Sequence, residues 1–365
     1  MSADIIVIGG GLLGSLIAWR LSRRGDRVRV YEQGQPGMPV SAAYTAAAMV
    51  APFSERPLCG NRVFSYGCRS LDLWPQLLDD LQHDTGIRIP YNTMGSLLVA
   101  HPSDQAELTQ FEAEMRRHGL LGADSARRLS DADIQTLEPD LAGHFSQGFW
   151  LPREAQIDNR QLLQVLRSAA IEAGADWFYD SPVHRHGDAW LLGDTSLSSD
   201  RVIDTRGTGA RRSVPGLRGV RGETVWVECP EVRLQRPVRL LHPRYHLYLV
   251  PRGEGKYQLG ATEIESEDRS PVSVRSAMEM LSALWAIAPQ MAEARILSLE
   301  TNLRPALPDH LPMIDTTGNT ITVNGLFRHG YLLAPALLEK LAPQLGDGFM
   351  PDNMITDGRD AWMVC

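Results

Sequence analysis

Residues 5–14 read IIVIGGGLLG, and Glu32 closes the next apolar run, VRVYE. Ile5 to Ile8 have the composition of a buried strand, and Leu12 onward carries helical periodicity. The turn between them is Gly9-Gly10-Gly11-Leu12-Leu13-Gly14, in which Gly9, Gly11 and Gly14 supply a G-x-G-x-x-G pattern. In that pattern Gly9 permits the tight turn, Gly11 lets backbone approach a pyrophosphate, and Gly14 lets helix and strand pack closely. The helix N-terminus then offers unpaired N–H groups and a positive dipole end to phosphates. Glu32, eighteen residues after Gly14, is spaced to accept hydrogen bonds from a ribose. An acid at that place favours an unphosphorylated ribose, hence FAD or NAD over NADP. A glycine-rich turn in some other α/β fold is the alternative reading of the glycines alone.

Composition narrows the classes. With 365 residues and 43% hydrophobic content the chain can bury a sizeable core in two domains. A net charge of −8 argues against a nucleic-acid partner, which needs a basic face. Only Lys256 and Lys340 are lysines, and no G-K-S/T exists, so a P-loop is excluded and a Schiff-base lysine is not expected. The cysteines, Cys59, Cys68, Cys229 and Cys365, form no C-x-x-C, which suits a reducing compartment and argues against a zinc cluster. No H-E-x-x-H occurs among the histidines, so no metal is expected. The apolar run from Ile5 to Trp19 is too short for a membrane span. It follows Asp4 with no basic stretch before it, unlike a signal peptide. A soluble cytoplasmic protein is expected.

Along the chain, Leu12 to Arg24 reads as an amphipathic helix with Arg20, Arg23 and Arg24 towards its end and Gly25 as its stop. Residues 63–85 read as helical with Pro75 as a kink or new start, 95–100 as a strand, and 104–118 as a solvent-facing charged helix. Residues 159–174 form a further helix for which Asp158 is the candidate cap, leading to a strand at 176–179. Strand-like pieces follow at 189–192 and 201–203, the latter running into a second glycine turn, Asp204-Thr205-Arg206-Gly207-Thr208-Gly209-Ala210. Tyr245 to Pro251 and Tyr257 to Thr262 flank a Gly-Glu-Gly turn as a β-hairpin. A helix at 271–288, strands at 220–228, 299–304 and 320–323, and a helix at 332–345 complete the pattern. The small-sided run Tyr44-Thr45-Ala46-Ala47-Ala48-Met49 is either a helix start or a backbone approach to a large flat ligand. Dinucleotide-type elements thus occur near residue 5, around 200 and at 320–345. A nicotinamide dehydrogenase keeps that fold in one block; scattering to both chain ends suits an FAD enzyme.

Taken together, the segments IIVIGGGLLGSLIAWRLSRRG, VRVYE, YTAAAMVAP, VIDTRGTGA, HLYLVPR, LGAT, TNLRPALPDHLPMI and GLFRHGYLLAPAL resemble the D-amino acid oxidase superfamily, within it the glycine oxidase and sarcosine oxidase branch. Their order and approximate spacing agree with that family over nearly the whole chain. The resemblance implies an α/β fold of two discontinuous domains: a Rossmann-like FAD-binding domain at 1–90, 145–218 and 300–365, and a sheet-rich substrate domain at 91–144 and 219–299. It implies noncovalent FAD and oxidation of the C–N bond of a small amino acid or secondary amine by hydride transfer to flavin N5. The partners it implies are a small carboxylate-bearing amine and O2, with an imine and H2O2 as products. Two alternatives accompany it: a dehydrogenase passing electrons to a quinone or protein acceptor, and a flavoprotein without amino-acid oxidase activity. Family members range from monomers to tetramers, so the oligomeric state stays open.

The resemblance also carries roles onto residues. Arg304, in the LRP segment, corresponds to the arginine that forks onto the substrate carboxylate, a pairing suited to a guanidinium. Tyr248 matches a tyrosine that helps bind the carboxylate. Arg328, His329, Gly330, Tyr331 and Leu332 fall in the turn and helix start beside the flavin ring. Thr45, Ala46, Ala47 and Met49 match the stretch along the flavin, Val183 a valine whose backbone meets the adenine, and Gly207 the second glycine turn. With Gly9, Gly11, Leu12, Leu13, Gly14 and Glu32 these form the expected cofactor site. No cysteine lies near 325–335, and His329 is only a faint candidate for covalent attachment. The sequence departs from the glycine oxidases at Ala48, where they carry glycine, and at Glu263, where they carry an apolar residue over the substrate. Glu263 is therefore expected either to recognise a cation or polar group of a different substrate, or to point to solvent.

Overall fold

The computed structural model describes residues 3–37, 40–243, 246–350 and 354. Asp4–Ile8 lies inside a six-stranded sheet with strand order Met313–Thr317, Thr320–Asn324, Arg201–Asp204, Asp4–Ile8, Arg27–Tyr31, Asp176–Phe178. All neighbours are parallel except the edge strand Met313–Thr317. Alternate residues of a strand face opposite sides of its sheet. Ile5 and Val7 pack into the main core with Leu16 and Ile17, while Ile6 and Ile8 pack on the other face against Val183 and Trp190. Coverage of both faces is why the run is continuously apolar rather than alternating.

The Leu12–Arg24 helix departs from the amphipathic expectation. Leu12 to Ser22 are buried all round, because the helix is packed between the sheet and the helices Asn159–Glu172 and Gly330–Leu345. Arg20 does not reach solvent: its Nη1 donates to Asp80 at 2.7 Å and its Nε to the Phe349 carbonyl at 3.0 Å. Two further helical expectations hold. Asn61–Thr85 is one helix with Pro75 inside it. Asp158 caps Asn159–Glu172 by accepting from the Gln161 N–H at 3.0 Å. The charged helix Gln105–Arg117 does not lie free in solvent, since it buries Leu108, Phe111 and Met115.

The second sheet has eight strands in the order Arg295–Ala306, Arg218–Glu228, Lys256–Gly260, His246–Pro251, Val238–Leu241, Ser96–Val99, Gln147–Leu151, Arg127–Ser130. One face packs on the helix Val274–Ile287 around Met280, Leu284 and Ile287. The expected hairpin is present as His246–Pro251 paired with Lys256–Gly260; Tyr245 lies outside the described residues. By sheet membership, Gln147–Leu151 and the whole of Arg295–Ala306 sit with the substrate-side strands, although the sequence partition at 145 and 300 assigns Gln147–Leu151 and residues 300–306 to the cofactor side. Apolar alternation marks a strand but not the sheet it joins.

Cys59 and Cys229 are free thiols. Cys68 is disulfide-bonded, which the cysteine spacing does not announce. Among the described residues no cluster of metal-ligating side chains occurs, and no helix is long and apolar enough to cross a membrane.

Candidate active site

A cleft of about 880 Å³ runs between the two sheets, within the ~300–1,000 Å³ range of ligand pockets. Its first wall is the glycine turn. Gly9 has φ +99°, and a Cβ there would meet the Thr205 carbonyl oxygen at 2.8 Å. A Cβ on Gly14 would lie 1.9 Å from the Gly9 oxygen, so Gly14 serves the helix–strand contact and does not line the cleft. Gly11 is different: an added Cβ meets only Ser41, at 3.6 Å, so the space before the helix is open. No side chain caps the helix and its first turn holds no acid. Glu32 closes this end, accepting from the Gly10 N–H at 2.6 Å and the Gly34 N–H at 2.7 Å. These features fit FAD: an uncapped helix start, room for a pyrophosphate at Gly11 and a carboxylate further along the same wall.

The small-residue stretch forms the next wall. Ala42–Thr45 is a four-residue helix, after which the chain extends through Ala46. A short helix therefore begins this run, and the residues after it line the cleft. Side chains distant in sequence brace it. Arg252 donates to the Ala47 carbonyl at 2.7 Å, Gln258 to the Thr45 carbonyl at 2.9 Å, and Asn159 to the Tyr44 carbonyl at 2.7 Å. Burial lowers the Arg252 guanidinium to about 10. Ala48 has φ +49°, the left-handed region that costs an L-residue about 1–2 kcal/mol. That strain gives the family's glycine at this place a physical reason.

The far end carries the charge. Arg304 Nη1 donates to the Thr262 carbonyl at 2.9 Å and, more weakly, to the Arg221 carbonyl at 3.3 Å. Its other donors have no partner among the described residues, and burial lowers it to about 10, which leaves it a cation. A Cβ on Gly222 would lie 2.5 Å from Arg304 Cζ, so glycine there makes room for the guanidinium. Arg328 is engaged on both sides, with Nη2 2.8 Å from Glu55 Oε2 and Nη1 3.1 Å from Glu263 Oε2. Burial opposes that charge, but Glu55 and Glu263 hold it above its ordinary value.

Tyr248 gives its proton to Glu55 Oε1 at 3.2 Å and receives from Arg239 at 3.1 Å. Burial pushes its phenol upward. Glu55 also meets His329 Nε2 at 3.3 Å. Burial alone would raise the Glu55 carboxyl; Arg328, the His329 hydrogen bond and Arg239 instead hold it well below the usual range. His329 precedes the helix Gly330–Leu345, whose N-terminus is also uncapped by any side chain.

The cleft thus gathers Gly9, Gly11, Leu12, Leu13, Glu32, Thr45, Ala46, Ala47, Met49, Val183, Gly207, Tyr248, Glu263, Arg304, Arg328, His329, Gly330, Tyr331 and Leu332, residues spread over the whole sequence. Glu263 does not simply point to solvent, although its side chain is 45% exposed; it is tied to Arg328. Sequence reasoning missed Glu55, Arg239, Arg252 and Gln258. Each acts through a partner distant in sequence, and none sits in a recognisable pattern.

The family described as FAD dependent oxidoreductase matches residues 4–342 of this chain. A putative thiamine biosynthesis oxidoreductase ThiO of Rhizobium etli is 39% identical over 93% of this chain and 96% of its own length. The bifunctional protein ThiO/ThiG of Trichormus variabilis is 27% identical over 92% of this chain, which spans 51% of that longer protein. Among solved structures, glycine oxidase from Geobacillus kaustophilus aligns with a TM-score of 0.80 at 25% identity, covering 98% of this chain and 99% of that one.

Proposed function

The chain belongs to the FAD-dependent oxidoreductase family and is glycine oxidase-like, and from that premise we propose that its substrate is a small amine bearing one carboxylate. The observation that carries this reading is Arg304, a half-buried arginine on the cleft wall whose partners among the described residues are backbone carbonyls only. An arginine placed so has donors to spare for an anion, and two parallel charge-assisted bonds fix a carboxylate in both position and orientation.

Noncovalently bound FAD would be held by the Gly9–Gly11 turn, Glu32, Val183, the Thr45–Met49 stretch and the start of the Gly330–Leu345 helix, and would accept a hydride from the substrate carbon. The protein's part is positioning. Arg304 holds the carboxylate and so sets which C–H bond faces the cofactor. Tyr248 has one proton, already given to Glu55, so it assists carboxylate binding only by turning that proton away from Glu55. Its raised phenol stays neutral near pH 7. Glu55 stays ionised, and its pairing with Arg328 and His329 fixes the turn that leads into the final helix. The small residues at 45–48 let backbone approach a flat ring closely. The uncapped N-terminus of Gly330–Leu345 favours negative charge nearby.

We take O2 as the electron acceptor and glycine as the first substrate to test, in keeping with the names of the relatives. The name of the 39% identical relative adds a role in thiamine biosynthesis as the setting. Anaerobic addition of glycine, sarcosine, proline and D-amino acids to the yellow holoprotein tests the reading. Loss of the flavin's visible absorption with a carboxylate-bearing amine supports it; no loss with any of them, or equal loss with amines lacking a carboxylate, refutes it.

A further inference from the structure

The arginines lining the cleft are not equivalent. Arg206 is paired with Asp204 through two contacts of 2.8 Å, and Arg275 with Glu279 at 3.2 Å. Arg269 is exposed at the rim and donates to Thr208 Oγ1 at 3.0 Å. Arg328 spends one Nη on Glu55 and the other on Glu263, while its Nε lies 3.3 Å from His329 Nε2. Of these arginines Arg304 alone meets only carbonyl oxygens among the described residues. Among the described cleft arginines a single anionic group therefore finds one guanidinium inside the rim without a carboxylate partner, and a second finds Arg328 already neutralised.

The two carboxylates on Arg328 differ in their freedom. Glu55 is buried and tied to Tyr248 and His329 as well, so it is fixed. Glu263 is 45% exposed and has Arg328 as its salt-bridge partner. Removing the charge of Glu263 would free one Nη of an arginine that lines the same cleft as Arg304, and would also remove repulsion against an incoming anion.

We propose that Glu263 determines the charge class of the substrate: by occupying Arg328 it restricts the site to amines with one carboxylate and excludes those with a second carboxylate across the nitrogen. This rests on the reading of Arg304 as the carboxylate anchor and adds the upper limit on substrate charge. Glu263 also acts on the Arg304 charge. Its removal would thus strengthen the first carboxylate's site for every anion alike. The ratio of affinities for a dianion and a monoanion cancels the effect on the first carboxylate and reads the second, which gains Arg328 and loses the repulsion of Glu263.

The test uses unreactive oxa analogues on the holoprotein: methoxyacetate, with one carboxylate, and diglycolate, with one on each side of the oxygen. Affinities are read from perturbation of the flavin spectrum and by calorimetry, without turnover. Wild type should favour methoxyacetate. Glu263→Gln should shift the ratio towards diglycolate by roughly 10- to 100-fold, the worth of one regained charge-assisted hydrogen bond. Glu265→Gln, which removes a similar charge from a residue bound to Arg218 outside the cleft, should leave the ratio unchanged. An unchanged ratio in Glu263→Gln with methoxyacetate binding intact, or an equal shift in both variants, overturns the inference alone. Failure of wild type to bind methoxyacetate overturns the carboxylate reading on which it rests.

Discussion

Arg328 Nη2 lies 2.8 Å from Glu55 Oε2, which ties the turn before the last helix to the short helix Pro52–Glu55 from the start of the chain. That carboxylate also accepts from Tyr248 and meets His329, so one buried acid organises three side chains of the cleft. Removing one partner of a buried pair leaves the other charge uncompensated. Glu55→Gln is therefore expected to cost about 3 kcal/mol, the low end for such a loss because Glu263 remains on Arg328. Urea denaturation of wild type and variant checks this; an unchanged midpoint would show that Glu55 does not hold the turn.

Glu32 is expected to matter for the cofactor rather than for the substrate. It is fixed by the N–H groups of Gly10 and Gly34 at 2.6 and 2.7 Å, so its carboxylate is already oriented before a ribose arrives. Glu32→Ala should weaken FAD binding by roughly 10- to 100-fold, the loss of one or two hydrogen bonds to a charged acceptor. Fluorescence titration of the apoprotein with FAD measures it. Equal affinities in the two proteins would mean that the acid serves only the glycine turn.

Glu154 gives a pH signature. It is buried beneath the cleft against Ser96 Oγ and the Ser54 N–H, and burial raises its carboxyl from the usual 4.5 to about 7. A folded-state value above the unfolded one means that the folded form binds the proton more tightly. Its stabilising contribution is then full below about pH 4.5 and is lost as pH rises to about 7. Wild type should lose stability relative to Glu154→Gln across that window, by an amount on the order of 3 kcal/mol. Denaturation midpoints of both proteins at several pH values check the slope, and a difference that does not change with pH would contradict it.

Much of the cofactor half was readable in the sequence because its requirements are local. A tight turn needs Gly9, a close helix contact needs Gly14, and a strand covered on both faces needs the unbroken run Ile5 to Ile8. The substrate half was legible only through its resemblance to a family. The strand carrying Arg304 gives no local sign that Gly222 makes space for its guanidinium. Glu55 and Arg252 escaped altogether, since the partners that give them a role, Arg328 and Ala47, are brought to them only by the tertiary fold. Arg20 misled for the same reason: a cation near a helix end reads as exposed until Asp80 and the Phe349 carbonyl are seen beside it.

Arg304 is expected to anchor the carboxylate of an amine that reduces the flavin. Anaerobic stopped-flow reduction of wild type and Arg304→Ala by glycine and by sarcosine measures this. The reduction rate per substrate concentration should fall roughly 100-fold or more in the variant, with bound FAD retained, as expected when a buried charge pair loses one member. Reduction at the wild-type rate, with the same dependence on substrate concentration, would show that Arg304 does not hold the carboxylate.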